Sequence, residues 1–77
     1  MFWLAYQTGK TRRVVIVRAN HLIAARLRAA LLLESSDAHF VEGHELPPAA
    51  ARKVPARMIG RLLTAAEAER VVEAMEG

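Results

Sequence analysis

The run Val14-Val15-Ile16-Val17 constrains this chain more than any other stretch. Four consecutive β-branched residues are stiff at χ1 and pack well on a pleated surface, so the run predicts a strand. Arg12, Arg13 and Arg18 flank it, which suggests a central strand buried on both faces over its middle. Upstream, Phe2 to Gln7 alternates, with Phe2, Leu4 and Tyr6 on one side and Trp3 and Ala5 on the other. That is a second strand. Between them, Thr8-Gly9-Lys10-Thr11 is a turn signal, because Gly9 tolerates positive φ. The two strands, 2–7 and 12–18, therefore predict a hairpin.

Asn20 is a good N-cap, and the Ala- and Leu-rich residues after it favour a helix over 20–34. Ile23, Leu27, Ala30, Leu31 and Glu34 fall in one stripe on one side of it, at i, i+4, i+7, i+8 and i+11, which predicts its core face. Leu32 and Leu33 fall outside that stripe and need a second surface to cover them. Ser35-Ser36-Asp37 closes the helix. Residues 38–42 predict a short third strand at an edge, ended by Gly43. Pro47-Pro48 starts a short helix that stops at Pro55. Val54, Met58 and Leu62 have helical spacing, which suggests that helix resumes past Gly60. Thr64-Ala65-Ala66-Glu67 is a capping box, and Ala68, Val71, Val72 and Met75 make an amphipathic helix over 64–76.

These elements predict one small α+β domain spanning residues 1–77. Its three-stranded, mainly antiparallel sheet (β-β-α-β-α-α) carries the helices on one face. The expected core is Phe2, Leu4, Val15, Val17, Ile23, Leu27, Leu31, Phe40, Met58, Leu62, Val71, Val72 and Met75. Such a core is thin: 53% of the 77 residues are apolar, but many of those are Ala. A domain this small, with no Cys to staple it, must rely on packing or on oligomerisation. The missing Cys also excludes disulfides, thiolate metal sites and a cysteine nucleophile.

No apolar stretch is long enough to span a bilayer, since Arg26 and Arg28 break the longest one. The N-terminus lacks the basic region of a signal peptide. No membrane association is expected, and the default location is cytoplasmic. The basic residues are nine Arg and two Lys, which with the Ala content resembles the coding bias of a GC-rich bacterial genome.

Charge layout is more informative than the net +3. Residues 1–33 hold six cations and no acid, and 34–45 hold four acids and no base. Residues 52–61 hold Arg52, Lys53, Arg57 and Arg61 with no acid, and 64–77 are again acidic. Either neighbouring blocks neutralise one another in the fold, or a basic block faces an anionic partner.

No catalytic residues, metal site or cofactor is expected. Gly9-Lys10-Thr11 resembles the end of a phosphate loop, but Leu4 stands where its first Gly belongs and a strand follows. His39, Glu42 and His44 lie close in sequence, but on a regular strand His39 and Glu42 point to opposite faces. His21 sits at a helix start and reads as a surface residue. The sequence therefore favours a non-enzymatic protein-interaction module that binds a protein partner or itself as a homodimer. Its expected contact surface is Trp3, Leu32 and Leu33. The alternative is nucleic-acid binding through the basic hairpin (Lys10, Arg12, Arg13, Arg18) or the segment Arg52, Lys53, Arg57 and Arg61. A third reading, an enzyme centred on His39 and His44, has least behind it.

Overall fold

The predicted hairpin forms as β1 (Phe2–Thr8) and β2 (Thr11–Val17), paired antiparallel from Phe2↔Val17 to Thr8↔Thr11. Gly9 takes φ 58°, and Lys10 keeps negative φ. This is the pattern of a two-residue II′ turn, whose twist matches that of the flanking strands. The computed structural model describes residues 1–33 and 37–77; the helix expected over 20–34 ends at Ala30, within them, and residues 34–36 lie outside them.

After β2 come α1 (Leu22–Ala30), β3 (His39–Glu45) and α2 (Pro48–Ala51). A 3-10 turn (Ala56–Met58), β4 (Leu62–Leu63) and α3 (Ala65–Glu76) complete the chain. β3 is an edge strand, as expected, pairing antiparallel with β1, but it runs on through Gly43, which was expected to end it, to Glu45. Among the described residues the sheet has four strands rather than three, in the order β3-β1-β2-β4. The extra strand comes from the segment expected to resume helix. Pro55 lacks an amide donor and interrupts the helical ladder there. Gly60 then takes φ 76°, and its N–H donates to the Ile16 carbonyl at 2.7 Å. Leu62 and Leu63 follow as partners for the open edge of β2.

The helices lie on both faces of the sheet, not on one. Phe2, Leu4, Tyr6, Val15 and Val17 meet α1 through Ala25 and Ala29. On the reverse face, Trp3, Ala5, Val14 and Ile16 pack with Leu46, Val54, Met58 and Leu63, and with Ala68 and Val71 of α3. The physical reason is that β1 and β2 are apolar on both sides. A single helical layer would leave Trp3, Val14 and Ile16 in water, at about 1.5–3 kcal/mol for each large side chain.

The core differs from expectation accordingly. Phe2, Leu4, Val15, Val17, Met58 and Val71 are buried as expected, while Phe40, Leu62, Val72 and Met75 are half-buried. Ile23, Leu27 and Leu31 are not core at all: they are 70%, 68% and 87% exposed. The N-caps differ from each other too. Thr64 forms the predicted capping box with Glu67. α1 is capped by His21 rather than Asn20, its Nδ1 accepting from the Ala24 amide at 3.2 Å.

Candidate functional site

Successive residues of an α-helix step by about 100°. On α1 that step places Ala25 and Ala29, which are fully buried, on one side. Ile23, Leu27 and Leu31 then centre about 180° away. The largest apolar stripe of the helix therefore points away from the sheet. Ala fits the inward side because Phe2, Leu4, Tyr6, Val15 and Val17 already fill the sheet surface beneath it. The close approach extends to β3. A Cβ at Gly43 would lie 2.7 Å from Leu4 Cδ2 and 3.0 Å from Leu22 Cδ1.

Beside this stripe runs an open groove of about 370 Å³. Ile23, Leu27 and Ala30 line its helix side, and Tyr6, Phe40 and Ala38 its sheet side. The Phe40 ring meets the Tyr6 ring edge-on, with centroids 5.7 Å apart and planes at 69°. The Arg26 guanidinium sits 4.1 Å from the Phe40 centroid, within cation–π range. Burial pushes the Tyr6 hydroxyl pKa up, while the charge of Arg26 and its hydrogen bond to that hydroxyl pull the other way. Arg26 is thus held at the groove rim by an aromatic face and a phenol.

The surface expected at Trp3, Leu32 and Leu33 is not where the exposed apolar area lies. Trp3 is 8% exposed and belongs to the α3-side core. Leu32 and Leu33 pack, partly buried, against the α1-side core. Periodicity located the apolar stripe correctly as Ile23, Leu27 and Leu31, but assigned it to the interior.

The basic residues are scattered. Arg12 Nη2 meets Glu42 Oε1 at 3.1 Å across the sheet surface. Arg13 Nε donates to the Leu63 carbonyl at 3.2 Å. Arg61 pairs with Glu67 and donates to the Arg57 carbonyl at 2.9 Å, and Lys53 Nζ donates to the Met75 carbonyl at 3.4 Å. Lys10 sits at the hairpin tip, whereas Arg18 follows the far end of β2. Arg52 and Arg57 are exposed around the 3-10 turn. Two ion pairs therefore join oppositely charged neighbouring blocks of sequence.

The expectation for His39 and Glu42 is revised by a bulge. Ala5 pairs with Glu42 but Tyr6 pairs with Phe40, leaving Val41 as the extra residue on β3. The inserted residue restores parity. His39, Glu42 and His44 oppose Gln7, Ala5 and Trp3, and so share the α3-side face. Sharing a face does not bring them to one point: among the described residues no three His, Asp or Glu side chains converge on a metal position. Among the same residues no helix is long and apolar enough to cross a membrane.

Comparison with known proteins finds no matching family model, no similar curated protein and no similar solved structure.

Proposed function

We propose that this chain is a non-enzymatic protein-interaction module and that the outward face of α1 is its contact surface. One observation carries the reading: Ile23, Leu27 and Leu31 form a continuous apolar stripe, 68–87% exposed, beside an aromatic-floored groove. Isolated exposed apolar residues are ordinary, but a contiguous stripe with polar rims is the usual mark of a partner surface. Spacing at i, i+4 and i+8 suits a partner helix laid along α1, with side chains entering the groove. The helix spans only nine residues, so the contact belongs to the small, transient class of interfaces.

Nucleic-acid binding has less support. Four of its candidate cations, Arg12, Arg13, Lys53 and Arg61, are engaged within the fold. Trp3 and Tyr6, the aromatics that would stack on bases, are both buried.

The test is selection of binders from a displayed library of random helical peptides, followed by titration against the wild type and against Leu27→Gln/Leu31→Gln. Recovered peptides should lose most of their affinity for the double variant, whose thermal unfolding should match that of the wild type. Peptides indifferent to the double variant would overturn the reading.

A further inference from the structure

We infer that the occupant of the α1 surface is an acidic amphipathic helix of another protein, not a second copy of this chain. This rests on the reading of α1 as the contact surface. The argument is charge complementarity around the stripe. At about 100° per residue, Arg26 and Arg28 fall on opposite flanks of Ile23, Leu27 and Leu31, each about 100° from the centre of the stripe. Both are exposed, and residues 1–33 contain no acid. The apolar stripe is therefore railed by guanidinium on both sides.

A second α1 meets like charge however it is laid down. In an antiparallel pair the equivalent flanks face each other, so Arg26 confronts Arg26 and Arg28 confronts Arg28. In a parallel pair Arg26 confronts Arg28. Like charges at flanking positions are a standard way of rejecting a partner. The α3 helix of a second copy does supply acids, at Glu69, Glu73 and Glu76, but its apolar residues Ala68 and Val71 are buried in its own core. Val72 and Met75 beside them are half-buried against the same core, so α3 presents no fully exposed large apolar side chain to cover Leu27. The occupant must combine both features: apolar residues at helical spacing, with Asp or Glu along each side of them. Arg26 is suited to a carboxylate: it is exposed at the groove rim, 4.1 Å from the Phe40 centroid, and its guanidinium has donors beyond the one its contact with the Tyr6 hydroxyl uses.

The test uses two synthetic helical peptides with identical apolar residues, one flanked by Glu and one by Lys. Each is titrated by fluorescence anisotropy against the full chain at low and near-physiological salt. The Glu peptide should bind at least about tenfold more tightly than the Lys peptide, with a preference that shrinks as salt rises. Arg26→Glu/Arg28→Glu should reverse the preference, and Arg26→Lys should weaken Glu-peptide binding several-fold. Light scattering should give 8.5 kDa at all concentrations used.

Equal binding of both peptides, lost with Leu27→Gln/Leu31→Gln, would overturn the acidic partner and leave the contact surface standing. Binding of either peptide that survives Leu27→Gln/Leu31→Gln would overturn both. Twice the monomer mass, reduced to one by that double variant, would assign the stripe to a second copy instead. Failure of both peptides to bind, or binding of anionic phosphatidylserine vesicles in place of the Glu peptide, would also overturn the inference.

Discussion

The two long helices cover one sheet by opposite means. α3 turns Val71 inward, with Val72 and Met75 half-buried beside it, and sends Glu69, Arg70 and Glu73 into water. α1 turns Ala25 and Ala29 inward and sends Ile23, Leu27 and Leu31 into water. The difference follows from what each sheet face already holds. The α1 face carries Phe2, Tyr6 and Leu4, with Phe40 at its edge, and close packing leaves room only for small side chains above them. The α3 face carries Trp3 and Ile16 but also Ala5 and Val14, and is completed by Val71 of its helix, by Leu63 and by the connecting segment at Leu46 and Val54. The face of a helix that packs inward is thus set by volume complementarity as well as by hydrophobicity. A helix needed only for small residues is free to carry large ones elsewhere.

The contrast is sharpest in stability. Val71→Ala removes two methyl groups from a fully buried site and should cost about 2 kcal/mol. For a domain of this size that lowers the melting temperature by about 8–16 °C. Leu31→Ala removes more carbon from an 87% exposed site and should stay within about 0.5 kcal/mol of the wild type. Paired thermal melts settle the matter. Comparable losses at the two positions would mean that the α1 stripe is buried in solution and that the asymmetry between the helices is wrong.

An effect of similar size tests the inward side of α1. Ala29 is fully buried against the sheet, so Ala29→Leu should overpack the contact and cost about 1–3 kcal/mol in denaturant melts. Leu is nearly as good a helix former as Ala, so the loss would come from packing and not from helix propensity. A neutral or stabilising result would show that α1 can roll its large stripe toward the sheet.

These two helices also show what was legible beforehand. α3 was readable because its cap, period and polar face agree: Thr64 and Glu67 close the box, and Val71 lies inward. The hairpin was readable for the same reason, since Gly9 and the Val14–Val17 run specify turn and strand locally. The inward side of α1 was not, because periodicity locates a stripe without saying what stands opposite it. That depends on Phe2, Tyr6 and Phe40, brought together only by the pairing of β1 with β3. One signal was available in the sequence: a strand apolar on both faces requires cover on both, which argues against a single helical layer. The candidate contact surface was displaced by the same step, from Trp3, Leu32 and Leu33 to the residues assigned to the core. β4 was hidden because Leu62–Leu63 is only two residues long and its strand character comes from the open edge of β2.

The smallest effect separates the helix starts. At α3, Glu67 accepts from the Thr64 amide at 3.1 Å and pairs with Arg61, and these contacts hold its carboxyl below the usual glutamate range. α1 has no acid in its first turn and no counterpart to this box. A carboxyl depressed in the folded state contributes stability that is present above the unfolded value, about 4.3, and lost as pH falls through the lower folded value. Glu67→Gln keeps an oxygen for the Thr64 amide but loses the charge that Arg61 and the helix N-terminus favour. The variant should therefore melt below the wild type near neutral pH. The gap should narrow as pH falls below the unfolded glutamate value and close only once pH is below the lower folded value, where the wild-type carboxyl is itself neutral. His21→Gln, at the cap of α1, should show no such carboxylate-linked closing of the gap. A Glu67→Gln deficit that stays constant across this range would mean that the box acts at α3 through its neutral hydrogen bonds alone.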